Sequence, residues 1–279
     1  MTEVKVLDGI EIAGEVNTPD ATIANHIAHS IKLGHPQMRP EGVKPEVVAI
    51  VGSGPSLIDT ETELRDAVFS GAKVVALNGS LEWCIQHNIR PSAVVVVDAR
   101  AENARFVARH VPGCIYYIAS QCHPDVWQAV SHHTRVVIWH PVSAESEDGH
   151  MLDQFYGKRC WFQVGGGTTV ATRAIALLRM SGYIRFELFG VDSCWMGDRH
   201  HAFDQAENEA DQRVRIDIAP QGVDQSLTFD CAPWHLKQFE DFLQMIRVHG
   251  DQFSLRVHGD GLLAHGLSVS AKMTVLEGS

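Results

Sequence analysis

The chain has 279 residues, room for one large domain or two small ones, and 23 Lys and Arg against 34 Asp and Glu give a formal net charge of -11. That balance excludes a general nucleic-acid surface, which needs a basic stripe, though not a local basic pocket. Six scattered cysteines form no Cys-x-x-Cys pair, and neither an apolar leader nor a membrane-length apolar run is visible, so no zinc ribbon and no membrane span is expected. A cytoplasmic protein with reduced thiols is the expectation.

In chain order, Ala21–Leu33 has helical spacing of Ile23, Ile27 and Ile31 and is stopped by Gly34-His35-Pro36. Pro40–Pro45 leads into an apolar strand, Val47–Val51, which ends at Gly52-Ser53-Gly54-Pro55-Ser56-Leu57 and is expected to enter a helix there. That helix carries Leu64, Ala67, Val68 and Phe69 and ends at Gly71. Strands follow at Lys73–Leu77, Ala93–Val97, Cys114–Ala119 and Arg135–Trp139, with helices at Leu81–His87, Asn103–His110 and Pro124–Val130 between them. Val142–Arg159 reads as a polar, loop-rich segment. Gly165-Gly166-Gly167-Thr168-Thr169 then opens a helix, Val170–Met180, followed by a strand, Phe186–Phe189. Arg213–Ile218 and Ser226–Phe229 alternate around Pro220-Gln221-Gly222 as a hairpin, a helix spans Pro233–Val248, and a last strand, Ser254–Val257, precedes a Gly-rich tail. Arg247-Val248-His249-Gly250-Asp251 recurs as Arg256-Val257-His258-Gly259-Asp260, but two short copies do not make a repeat protein.

Alternating strands and helices predict an α/β fold: a Rossmann-like, mostly parallel sheet with helices on both faces and a C-terminal hairpin and helix extension. The division expected is an N-terminal helical extension over 1–45, a nucleotide-binding core over 46–204, and residues 205–279 packed on it. In such a sheet ligands gather beyond the carboxyl ends of the strands. Gly52, Ser53, Gly54, Pro55 and Ser56, then Asn78 and Gly79, then Asp98, then Gly166, Gly167, Thr168 and Thr169, then Asp192 all fall on that predicted edge. Small-residue loops before helices offer backbone N–H groups to phosphate, so two such loops suit a nucleotide held from both sides. Leu57 replaces the third glycine of Gly-x-Gly-x-x-Gly, and no Lys-Ser/Thr follows, so neither a dinucleotide fingerprint nor a P-loop is present. Asn78 suits ribose hydroxyls or a base edge. Asp98 and Asp192 are candidate Mg²⁺ ligands, and His200 or His201, on the loop after Asp192, a candidate general base.

These residues carry a resemblance. Val51–Leu57, Ala76–Gly79, Val97-Asp98, Gly165–Ala171, Leu188–Ser193 and His201-Ala202-Phe203, in that order, resemble the MptE-like family. Its named archaeal members are 6-hydroxymethylpterin diphosphokinases, and its bacterial relatives include motility accessory factors. The series is also similar to the Campylobacter-type sialyltransferases. The resemblance implies a nucleotide in the Gly-Pro-Ser-Leu cleft. In the pterin enzymes ATP gives pyrophosphate to a hydroxymethyl group with Mg²⁺; in the sialyltransferases a CMP-sugar gives its sugar to a hydroxyl with no required metal. Asp98 and Ser53 stand where the sialyltransferases carry Asn, which leans towards the pterin branch. Trp195 and His200 stand where they carry tyrosines, and their later catalytic His is matched only by position, to His235, His249 or His258. The leading expectation is therefore a diphosphokinase-like transferase acting on a nucleotide and a small-molecule acceptor. A CMP-sugar glycosyltransferase and a non-catalytic nucleotide-binding module are the alternatives, and a homo-oligomer is left open.

Overall fold

The computed structural model describes residues 3–7, 10–14, 18–203, 213–219, 226–267 and 272–275. Strands β1 (Glu3–Leu7) and β2 (Ile10–Gly14) pair antiparallel, and α1 (Asp20–Ser30) follows. The main run then alternates: β3 (Val48–Val51), α2 (Glu61–Phe69), β4 (Lys73–Leu77), α3 (Ser80–Gln86), β5 (Ala93–Val96), α4 (Ala104–Val107), β6 (Ile115–Ala119), α5 (Pro124–Ala129), β7 (Val136–Trp139). Next come α6 (Glu147–Tyr156), α7 (Val170–Met180), β8 (Arg185–Phe189), β9 (Val214–Ala219), β10 (Leu227–Cys231), α8 (Pro233–His249), β11 (Ser254–Val257), α9 (Leu262–Leu267) and β12 (Lys272–Val275).

Seven strands form one parallel sheet in the order β11-β8-β3-β4-β5-β6-β7, the Rossmann-like α/β arrangement expected. All four residues of β3 and all four of β5 are buried. Unbroken Val, Ile and Ala runs suit strands covered on both faces, and each fully buried Val or Ile contributes about 1.5–3 kcal/mol. From β3 the chain winds one way through β4, β5, β6 and β7, then returns to place β8 on the other side of β3. The strand order therefore reverses between β3 and β8, the point where a crevice opens in doubly wound sheets.

The hairpin is present as β9 and β10, with Leu227 opposite Ile218, and β12 pairs with β9 as a third strand. Its expected turn at Pro220-Gln221-Gly222 lies outside the described residues. Of the echoed pentapeptides, one ends α8 and the other starts at the last two residues of β11. β11 pairs with β8, so the sheet draws a strand from beyond residue 204.

The segment expected as a helical extension, 1–45, also holds the β1–β2 strand pair, and further elements differ from expectation. The segment read as a loop holds α6: Ser146 caps it by accepting the Gly149 N–H at 3.1 Å, and Glu147 and Asp148 favour its first turn. The helix expected over Asn103–His110 shrinks to a 3-10 turn, Ala101–Asn103, and the single α turn of α4. The residues after Val257 are not only a tail, since they contain α9 and β12. Among the described residues no helix is long and apolar enough to cross a membrane.

Candidate nucleotide site

The loop after β3 sits at the reversal point and is tied to the end of β8. Gly52 N–H donates to Phe189 O at 2.8 Å, and Gly54 N–H donates to Gly190 O at 2.7 Å. The backbones approach so closely that a Cβ on Gly52 would lie 2.3 Å from Gly190 O, and one on Gly54 would lie 2.4 Å from Asp192 Oδ2. Both glycines are thus required by packing, independently of any ligand. Pro55–Leu57 forms only a 3-10 turn, and α2 begins at Glu61 with Glu61 and Glu63 in its first turn. No α-helix dipole points at Gly52–Ser56, contrary to the helix entry expected there.

An internal carboxylate takes the role foreseen for phosphate. Ser56 N–H donates to Asp192 Oδ2 at 2.9 Å, and Asp192 is only 3% exposed beneath Gly259 and Gly261. Burial pushes the Asp192 carboxyl up to about 6, partly opposed by hydrogen bonding from Ser56. The second loop behaves likewise. Thr168 N–H and Thr168 Oγ1 donate to Asp241 Oδ2 at 2.6 and 2.7 Å, and Lys237 Nζ holds Asp241 Oδ1 at 2.7 Å. A Cβ on Gly167 would lie 2.7 Å from the same Asp241 oxygen. The start of α7 is therefore capped by α8, and Gln238 extends the joint by donating to Thr169 Oγ1 and accepting from Ser193 Oγ.

The two carboxylates expected to hold Mg²⁺ lie apart. Asp98 lies two residues beyond β5 and Asp192 three beyond β8, on strands three spacings or about 14 Å apart. Both Asp98 oxygens are engaged by Arg100, through Nε at 3.1 and 3.0 Å and Nη2 at 2.6 Å. Among the described residues no group of three His, Cys, Asp or Glu is arranged to hold a metal ion.

The middle of the edge keeps ligand-type chemistry. Asn78 has φ of 47°, and its side-chain Oδ1 is buried with no hydrogen-bond partner. Gly79 lies beneath two rings, since a Cβ there would lie 2.8 Å from Phe106 and 3.4 Å from Phe203. Phe203 arrives on the segment His201-Ala202-Phe203, which straps the β3 loop: Ala202 N–H donates to Ser53 O at 2.8 Å, and Ser53 Oγ is 3.2 Å from His201 Nδ1. The His200 and His201 rings lie 4.1 Å apart, and Trp195 packs on His200 at 4.2 Å. His235 of α8 accepts the Ala232 N–H at Nδ1 and is driven down to about 3 by burial, with His200 and His201 adding to the shift. Two concavities of about 360 and 380 Å³ lie elsewhere.

The expected residues thus divide. Ser53, Asn78, Gly79 and His201 converge on one place. Gly52, Gly54, Pro55, Ser56 and Asp192 build the joint beneath it, Gly167, Thr168 and Thr169 dock α8, Gly166 packs on α7, and Asp98 pairs with Arg100. Sequence reasoning missed Arg100, Phe106 and Asp241. An Asp-x-Arg spacing signals Arg100, while nothing local signals a contact between Thr168 and Asp241, 73 residues apart.

Residues 25–198 match the family model described as "6-hydroxymethylpterin diphosphokinase MptE-like". No curated protein matches significantly. The MAf glycosyltransferase from Magnetospirillum magneticum AMB-1 superposes with a TM-score of 0.60 at 18% identity, covering 86% of this chain and 36% of that one. That likeness speaks to the fold, and this chain spans about a third of that protein's length. A mammalian sialyltransferase aligns more loosely, with a TM-score of 0.41 at 12% identity over 88% of this chain and 81% of that one. With the family model covering more than half of the sequence, the chain belongs to the MptE-like family of transferases.

Proposed function

We propose that this protein is a nucleotide-dependent glycosyltransferase, taking a sugar from a CMP-type donor to an acceptor hydroxyl. The nucleoside is assigned to the floor formed by Ser53, Asn78 and Gly79. The observation that carries the reading is the Asn78 side chain, held in a left-handed turn with a buried acceptor oxygen lacking any partner. A buried polar atom left unpaired costs about 1–3 kcal/mol, a cost that a ligand donor removes on binding. Phe106 and Phe203 bracket Gly79 and supply apolar surface for a ring. The sugar's anomeric carbon would be attacked by the acceptor oxygen as its bond to the phosphate oxygen breaks. The hydroxyl proton passes to His201, and the nucleotide leaves with its phosphate negative.

Support over the diphosphokinase reading comes from the carboxylates. Moving pyrophosphate from ATP calls for a cation bridging the phosphate oxygens. Asp98 is engaged by Arg100, and Asp192 is buried against Ser56. The diphosphokinase remains the second reading because the family description names that activity. Fold-level analogy with the MAf glycosyltransferase adds only that this scaffold accommodates sugar transfer. The deciding assay incubates the protein with CMP-sugar or with ATP and a hydroxymethylpterin, each with Mg²⁺ or with EDTA. Release of CMP that persists in EDTA supports the first reading. Mg²⁺-dependent release of AMP alone overturns it.

A further inference from the structure

A cavity with two cationic side chains in its wall opens beyond β7, on the same carboxyl edge of the sheet but four strand spacings, about 19 Å, from the β3 loop. Its volume is about 360 Å³, in the range of small-molecule sites. Lys158, Arg159, Trp161, Gln163, Asp153 and Ala144 line it. Trp161 is fixed by donating its indole N–H to Asp153 Oδ1 at 2.9 Å, and Gln163 Oε1 accepts the Ala144 N–H at 3.2 Å. Neither Lys158 nor Arg159 makes an ion pair among the described residues. Arg159 is held at φ of 62°, an uncommon conformation for a residue with a side chain, in the turn that presents both cations.

His140 packs behind this wall, its ring 5.8 Å from that of Trp161 and 5.5 Å from that of Tyr156, and it pairs with Gln163 across a parallel bridge. At 1% exposure it does not line the cavity, and it helps to fix Trp161 and Gln163 in place.

We propose that this cavity binds a small anionic molecule, a carboxylate or a phosphate ester, with its charge on Lys158 and Arg159 and its body against Trp161. Arg and Lys meet such anions through charge-assisted hydrogen bonds, and the net positive lining stands out in a chain of charge -11. The site is independent of the nucleotide cleft. Its ligand is either a separate effector or the remote end of an extended acceptor, and both share this chemistry.

The test follows the Trp161 indole N–H in a two-dimensional NMR spectrum, assigned with Trp161→Phe, while inorganic phosphate or citrate is titrated. A saturable displacement by either probe is expected, weakening as sodium chloride rises. Response to phosphate alone names a phosphate ester, and response to citrate alone a carboxylate. The paired variant Lys158→Gln/Arg159→Gln, at two exposed positions, should lose the displacement while keeping its melting temperature and its response to CMP. No displacement by either probe, or an unchanged displacement in the paired variant, would overturn the proposal.

Discussion

Replacing Asp192 by Asn probes the joint that supports the whole edge. The carboxyl rises from 3.8 to about 6 on folding because burial disfavours its charge. A shift of about 2 units corresponds to roughly 3 kcal/mol. The folded state holds the proton more tightly than the unfolded one, so this group favours folding below about pH 4. That advantage is lost as pH rises through the window up to about 6, and above it the full cost is present. Integrated between about pH 4.5 and 7, the loss is about 2 kcal/mol. Asn keeps an oxygen for the Ser56 N–H and does not ionise. Urea unfolding of both proteins across that range should show the variant gaining about 2 kcal/mol relative to the wild type as pH rises. Comparing the two cancels the other titrating groups. A difference that stays flat with pH would mean that Asp192 is hydrated, and the argument that it replaces a phosphate at Ser56 would fall.

Gly54→Ala should destabilise by about 1–3 kcal/mol in the absence of any ligand, because its Cβ meets Asp192 Oδ2 at 2.4 Å and Gly190 O at 2.8 Å. Unchanged urea stability would contradict that packing. Asp241→Asn should cost about 1–2 kcal/mol through the weakened α7 cap and the lost Lys237 pair, read by thermal melting, and a neutral result would deny that Asp241 fixes the loop. Asn78→Gly keeps the left-handed turn open to the backbone but removes the amide. Calorimetry should show CMP affinity falling about tenfold with little change in melting temperature, and an unaltered affinity would move the nucleoside elsewhere.

Much of the scaffold was legible because its signals are local. Val runs such as Ala93–Val96, and Gly or Asn punctuation at Gly71 and Asn78, mark buried strands and their ends without tertiary information. Helix α6 was missed although Met151 and Phe155, and Leu152 and Tyr156, stand four apart as on one helix face; its polar first turn, Glu147-Asp148-Gly149-His150, and the Ser and Gly around it read as loop. The edge residues were also legible as a set, but not their partners. A Gly-rich loop before a helix reads as an anion site whether the anion is a ligand or a carboxylate of the same chain. Asp192 lies 136 residues from Ser56 and Asp241 lies 73 from Thr168, so only the folded chain reveals which it is. The same distance hid the separation of Asp98 from Asp192, since strand order is not written in chain order.

The central claim is that a nucleotide binds over Ser53, Asn78 and Gly79 without a protein-held metal. The direct measurement is the thermal stability of the protein with CMP, with and without Mg²⁺, against ATP under the same conditions. CMP at about 100 times its Kd should stabilise the fold by roughly 2.7 kcal/mol, equally in Mg²⁺ and in EDTA. Stabilisation by ATP alone, and only with Mg²⁺ present, would contradict the account and return the protein to the diphosphokinase reading.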